Sequence, residues 1–255
     1  MNYAVVAVPA APVRRKPRHN KEMVNQLLFG EAVKILKEKG EQWVKVRSLH
    51  DQYEGWMTRS LLEETDELTA NTKPLFVTGC VMNVISFGDK TIYAPAGSSL
   101  PFFENGKGRM NRKEYSFHGK VFSPAALRPG AELIRQLVSP WLNAPYMWGG
   151  RTPLGVDCSG FTQVIFKLIG VDLPRDAWQQ AQKGTGIKKL MEAQSGDLVF
   201  FDDKEEIVHV GILLNNETVI HASGKVRMDL IDKKGIINSE TGKRTYQLKA
   251  IRRYW

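Results

Sequence analysis

The sequence predicts an α+β protein in which two small all-β modules precede a domain that runs helices first and an antiparallel sheet afterwards. Three observations carry this reading. Short β-patterned segments broken by turn residues fill the first part of the chain. A Gly-rich loop then leads into an apolar-periodic run, Phe161–Ile169, and beyond Gly184 the apolar period switches from helical to alternating. The 255 residues, 42% hydrophobic, suffice for one large domain or two to three small ones.

In the first module, residues 1–68, the strand candidates are Tyr3–Val8, Ala32–Glu38 and Trp43–Ser48, the last running into a turn at His50–Asp51. Tyr53, Gly55, Trp56 and Met57 follow. A Gly-Glu turn before a strand, a Gly-Glu-Gln-Trp hairpin and a closing Gly-Trp resemble the bacterial SH3-like domain. The polar, acidic stretch Glu63–Pro74 reads as a linker. The second module, 69–126, offers strands at Leu75–Ile85, Thr91–Tyr93 and Tyr115–Val121, with Gly97–Leu100 and a Gly/Lys/Arg/Asn-rich loop at Asn105–Lys113 between the last two. A second SH3-like barrel is expected there.

The third part, 127–255, opens with a helix at Ala131–Leu137 that Pro140 closes. The helix that follows the Gly-rich loop ends at Gly170. Leu173-Pro174-Arg175-Asp176 reads as a loop and N-cap for a short helix, Ala177–Gln182. Strands are expected at Asp197–Phe201, Val208–Leu214, Thr218–Ala222 and Thr245–Arg252, with Asn215-Asn216 as the turn between the second and third.

Composition narrows the function classes. No run of about 18 apolar residues exists, so no membrane-spanning helix is expected. The basic cluster Arg14, Arg15, Lys16 and Arg18 follows the mildly apolar start instead of preceding it, the wrong order for a secretory signal, so a cytoplasmic protein is expected. Residues 1–70, 71–130 and 131–255 carry net charges of +1, +5 and +3. The basic middle third either attracts an anionic polymer or only keeps the protein soluble. No run of Lys and Arg interleaved with aromatics appears, which argues against nucleic-acid binding. The two cysteines, Cys80 and Cys158, fall in different predicted domains and are taken as free thiols, Cys80 buried and inert in its apolar run.

Cys158 is the candidate nucleophile. It opens a helix, where unpaired backbone N–H groups and the helix field favour a thiolate. A cysteine nucleophile needs a base and a group to hold that base. His209 and His221 lie downstream, each inside a strand candidate. A turn at Asn215-Asn216 places His209 opposite Ala222 and diagonal to His221. His209 then takes the thiol proton and His221 orients His209. The Cys158 N–H and the Tyr146 hydroxyl are the expected oxyanion donors. Asp157 either caps the helix or binds a substrate amine, and Ser159 either caps or contacts substrate. Trp148 and Trp178 are expected in the core or the cleft wall. No phosphate loop, metal site or other cofactor is expected.

Tyr146–Gly150, Asp157–Phe161, Leu173–Arg175, Ser195–Phe201, His209–Ile212 and Ile220–Gly224 together resemble the NlpC-type papain-like cysteine peptidases of bacterial cell-wall metabolism. The marks cover about residues 130–255, in order. The resemblance implies a papain-like fold and a triad of Cys158, His209 and His221. With SH3-like modules in front, the layout is similar to the γ-D-glutamyl-L-diamino acid endopeptidases that recycle murein peptides. What this implies is hydrolysis of the bond between γ-D-Glu and diaminopimelate or lysine in stem peptides with a free N-terminal L-Ala, by a monomer. The first module of such enzymes packs over the cleft and recognises the amine through an acidic residue and a tyrosine, which map onto Glu22 and Tyr53, with Asp157 and Ser159 from the catalytic domain. An exported hydrolase of polymeric wall and an amidase or acyltransferase on the same fold remain alternatives.

Overall fold

The computed structural model describes residues 2–127, 129–203 and 206–255. The chain divides into two compact units, the first comprising Met1–Leu127, Trp148–Pro153 and Lys167–Asp172, the second the remainder from residue 128 onward.

The first unit begins with seven antiparallel strands: β1 (Tyr3–Val6), β2 (Ala10–Arg14), β3 (Met23–Leu28), β4 (Ala32–Lys39), β5 (Trp43–Ser48), β6 (Glu54–Thr58) and β7 (Leu62–Thr65). Their order is β3-β2-β6-β5-β4-β1-β7. Ala4, Val6, Val13, Leu27, Val33, Val44, Val46 and Met57 fill the inside. A short helix, α1 (Glu67–Asn71), stands where a linker was expected, capped by Asp66, which accepts from the Thr69 N–H at 2.7 Å.

Seven more strands follow: β8 (Phe76–Thr78), β9 (Met82–Phe87), β10 (Lys90–Pro95), β11 (Ser99–Leu100), β12 (Lys107–Met110), β13 (Lys113–Ser116) and β14 (Val121–Phe122). They form sheets ordered β10-β9-β13-β12 and β11-β8-β14. One core cluster joins Val5 and Phe29 of the first strands to Ile85, Phe87, Ile92, Tyr115 and Phe117 of the second set. The two β modules therefore share apolar interior. The expected strand Leu75–Ile85 is two strands, because the chain turns at Gly79, whose N–H donates to Lys120 O at 2.8 Å. Cys80 sits at that turn and is exposed, which corrects the expectation that it is buried. Its peptide is held by the Asn83 amide instead.

The second unit contains α2 (Ala131–Val138), most of α3 (Cys158–Leu168) and α4 (Ala177–Ala181). Its strands are β15 (Thr185–Gly186), β16 (Leu198–Asp203), β17 (Glu206–Leu213), β18 (Thr218–Ser223), β19 (Lys225–Asp232), β20 (Gly235–Ile237) and β21 (Arg244–Arg253). The order is β15-β21-β16-β17-β18-β19-β20, and a further β20–β21 pairing closes six of them into a barrel. Phe161, Val164, Ile165 and Phe166 of α3 are fully buried, as is Phe200 of β16. Even the polar Thr162 and Gln163 are inside, bonded to Gln180 Oε1 and Leu173 O. Helices first and antiparallel strands afterwards is the α+β layout that the change of period predicts.

Candidate active site

The loop before α3 is positioned by backbone. The Tyr146 N–H donates to Gly224 O at 2.9 Å, and the Met147 N–H to Val156 O at 3.1 Å. Gly149 has φ +77° and lies so near Met23 O that a Cβ there would approach it to 2.7 Å, so glycine is required. Asp157 precedes α3 and caps it, accepting from the Gly160 N–H at 2.7 Å. The same carboxylate receives both terminal nitrogens of Arg175, at 3.0 and 2.5 Å, and Arg175 also donates to Ser159 Oγ at 2.9 Å. Asp157 thus takes the capping role, and Ser159, whose Oγ donates to Asp157 Oδ1 at 3.3 Å, joins it in one buried cluster that Arg175 organises.

Cys158 opens α3 and is buried. Its Sγ accepts backbone N–H groups from Ser159 and from Val210, the residue after His209. These donors favour the thiolate, as the helix start led one to expect. Burial and the neighbouring Asp157 charge outweigh them and push the thiol up to about 12. The resting group is therefore the thiol, a correction to the helix-field argument. Desolvation wins because the sulfur has left water, and the Val210 and Ser159 N–H donors together with the Arg175 charge recover only part of that loss.

His209 is on β17 and His221 on β18. The observed register pairs Gly211 with His221 and Ile212 with Ile220. It differs by one residue from a tight turn at Asn215-Asn216, because the closing pair is Leu214 and Thr218, the Leu214 N–H donating to Thr218 O at 2.9 Å, which leaves three residues, 215–217, in the turn. That single residue matters. In the observed register His209, Gly211 and His221 share a face, whereas a one-residue slip would put the histidines on opposite faces. Their rings meet, with His209 Nε2 2.7 Å from His221 Nδ1. The Tyr246 ring stacks on His209 at 4.2 Å and 11°, fixing its plane. Burial first, then His221, hold the pKa of His209 well below that of a free imidazole.

Three residues here escaped the sequence reading: Arg175, Tyr246 and Asp229. Asp229 Oδ2 lies 3.0 Å from His221 Nε2, and its Oδ1 accepts from Arg227 at 3.0 Å and from the Ser239 N–H at 2.8 Å. Burial alone would raise its pKa; the bonds from His221, Ser239 and Arg227 outweigh that and keep it an anion. The strand β19 was not foreseen. In it the apolar Met228 and Leu230 are about half exposed (47% and 52%), and Asp229 between them is buried (2%).

Tyr146 is half-buried and in electrostatic reach of Cys158, Asp157 and Tyr246. Burial, then the Cys158 and Asp157 charges, push its phenol up, so it stays an O–H donor. Trp178 is half exposed (50%) and Trp148 more so (60%), so neither is core. Glu22 and Tyr53 belong to the first unit. Glu22 pairs with Arg15 at 2.6 Å and accepts from Trp148 Nε1 at 3.0 Å. Tyr53 is partly buried beside Asp51, whose Oδ1 accepts the Tyr53 N–H at 3.0 Å. Among the described residues no group of three or more His, Cys, Asp or Glu side chains is gathered as a metal would require.

Known proteins give the arrangement its context. The model of the NlpC/P60 family matches residues 143–245, and that of the bacterial dipeptidyl-peptidase Sh3 domain matches 13–62. The γ-D-glutamyl-L-lysine dipeptidyl-peptidase of Bacillus subtilis (strain 168) is 34% identical over 77% of this chain and 71% of its own length. Dipeptidyl-peptidase 6 of Lysinibacillus sphaericus is 29% identical over 92% and 93%. The crystal structure of an NlpC/P60 family protein from Bacillus cereus ATCC 10987 superposes with a TM-score of 0.80 at 22% identity, covering 99% of each chain, and so shows the same fold. With a relative above 30% identity over most of both chains, this protein belongs to the NlpC/P60 family of cysteine peptidases and carries that family's catalytic fold behind an SH3-like domain.

Proposed function

We propose that the protein hydrolyses the γ-D-glutamyl bond to the diamino acid, diaminopimelate or lysine, in cell-wall stem peptides that keep a free N-terminal L-Ala. The observation that supports this most is the meeting of the two histidines at 2.7 Å on the face of β17 and β18, with Cys158 Sγ bonded to the very next residue, Val210. Relatives named for γ-D-glutamyl-L-lysine dipeptidyl-peptidase activity match over most of this chain.

In this reading Cys158 Sγ attacks the γ-carbonyl carbon as its proton passes to His209. The charge on oxygen is met by the Cys158 N–H and the Tyr146 O–H. Collapse breaks the C–N bond, His209 hands its proton to the departing amine, and a thioester remains. Water, deprotonated by His209, then attacks the thioester carbonyl. The carboxylic acid leaves and the thiol is restored. His221 holds His209 throughout.

Amine recognition is assigned to Glu22 and Tyr53, with Asp157 and Ser159 in the catalytic unit. Asp157 is held by Arg175 in a buried pair, whereas Glu22 pairs with Arg15 in an exposed one, so Glu22 is the carboxylate that exchanges its partner for an ammonium at the lower cost. A cytoplasmic, monomeric enzyme acting on soluble peptides goes with this reading. The test is mass-spectrometric product analysis on L-Ala-γ-D-Glu-diaminopimelate, its lysine analogue and their N-acetylated forms. Release of L-Ala-γ-D-Glu from free-amine peptides only, abolished by Cys158→Ala, is expected. Equal turnover of the acetylated forms would remove amine recognition, and no release from any of them would overturn the reading.

A further inference from the structure

The hydrogen bonds around the histidines form a chain with one consistent proton inventory. Asp229 is an acceptor at both oxygens. Its Oδ1 is taken by Arg227 and the Ser239 N–H, two obligate donors. Its Oδ2 therefore requires a hydrogen from His221 Nε2. A neutral His221 protonated at Nε2 presents a lone pair at Nδ1, which must accept from His209 Nε2 at 2.7 Å. His209 is then protonated at Nε2, and its Nδ1, the ring nitrogen not engaged with His221, carries the lone pair. We infer that Asp229, clamped by Arg227 and the Ser239 N–H, is a positioning residue that sets the tautomers of both histidines and thereby creates the base at His209 Nδ1.

The inference rests on His209 serving as the base in the reaction proposed above. It adds a fourth member, two hydrogen bonds removed from His209. Arg227 is more than an ion-pair partner in this arrangement. By occupying Oδ1 together with Ser239, it makes the environment of Asp229 asymmetric, with donors on one side and an imidazole on the other. An amide in place of the carboxylate is forced to turn its oxygen toward Arg227 and Ser239 and its NH2 toward His221. His221 Nε2 must then accept, Nδ1 must carry the proton, and His209 is driven to the Nδ1–H form. The base is lost with almost no change of shape.

The test is Asp229→Asn beside Asp229→Ala. Truncation removes the constraint without reversing it, so the isosteric variant is expected to be the worse enzyme. The loss for Asp229→Asn should be about 10³- to 10⁴-fold in kcat with KM little changed, the size that a reversed tautomer costs in a catalytic triad. Long-range 1H–15N correlations of the histidine rings in the full-length protein read the tautomers directly. Nε2–H on both histidines is expected in the wild type, and Nδ1–H on both in Asp229→Asn. Among the described residues, the charged or titratable groups against this chain are Arg227 and, through it, Glu240 beside Asp229, with Tyr246 against His209, and Cys158 is the thiol that His209 serves in the reaction proposed above. None of them is replaced in either variant. Nδ1–H on either histidine of the wild type would overturn the inference, as would Asp229→Asn turning over within about threefold of wild type. If Asp229→Asn does not fold, the wild-type ring spectrum still decides. If the wild type is inactive on stem peptides yet shows Nε2–H on both rings, the substrate reading fails and the relay stands.

Discussion

At the scale of single residues, the site works by desolvation balanced against hydrogen bonds. The thiol of Cys158 and the imidazole of His209 are both pushed toward their neutral forms by burial, so in the reaction proposed above the proton passes from thiol to imidazole as the bond forms. Activity needs neutral His209. Because its pKa is depressed, the acid limb of kcat/KM should lie below the ordinary imidazole value of 6.5, and a pH–rate profile on the free-amine peptide checks this. Alkylation of Cys158 by iodoacetamide in His209→Ala should climb through the alkaline range and show no plateau near neutrality, as a thiol raised to about 12 requires. The Asp157–Arg175 pair is a different kind of balance, two buried charges that satisfy each other. Arg175→Met takes away the charge partner of the buried carboxylate, and should cost about 3–5 kcal/mol in urea unfolding.

At the scale of elements, register and turn geometry decide what the side chains can do. A three-residue turn, 215–217, closed by Leu214 and Thr218 between β17 and β18, puts His209 and His221 on one face. Two turn glycines of the first unit give a quantitative contrast. Gly88 has φ +60° and open space around it, so Gly88→Ala meets only the left-handed backbone penalty of about 1–2 kcal/mol. Gly149→Ala adds the overlap with Met23 O and should lower the melting temperature distinctly more. The histidine strands and the helix behind Cys158 were readable from sequence because their apolar periods are clean. β2, β3, β19 and β20 were not. β2 carries Pro12 and a charged end, and β19 has apolar side chains facing out and its aspartate facing in, the reverse of the pattern that hydrophobic alternation looks for. Missing β19 meant missing Asp229.

At the scale of the whole molecule, the compact units do not follow the chain's simple order. Trp148–Pro153 and Lys167–Asp172 belong with the N-terminal β modules. The reason is electrostatic as well as steric. Glu31, buried, receives Arg151 at 2.8 and 2.9 Å and Lys167 at 2.7 Å. Burial would raise its pKa, but the two cations outweigh this and hold it far below the usual glutamate range. The stability it contributes is complete above that range and is lost progressively as pH falls from there toward the depressed folded value. Glu31→Gln in the full chain should cost about 3–5 kcal/mol by chemical denaturation, since two cations are left buried. In a fragment ending at Leu127 both cations are absent, and there the same substitution should stabilise. A fragment unaffected by it would sink this account of why the segments belong together.

What the sequence determined alone was the α+β layout, which follows from local period, and the family, which follows from the resemblance of its motifs; it also singled out Cys158, His209 and His221 as the candidate catalytic residues. The tertiary structure alone decided the protonation of the nucleophile, the face on which the histidines meet, the engagement of Asp157 by Arg175 and the presence of Asp229. Each of these depends on what surrounds a polar group once water has been removed, and that is set by residues distant in the chain.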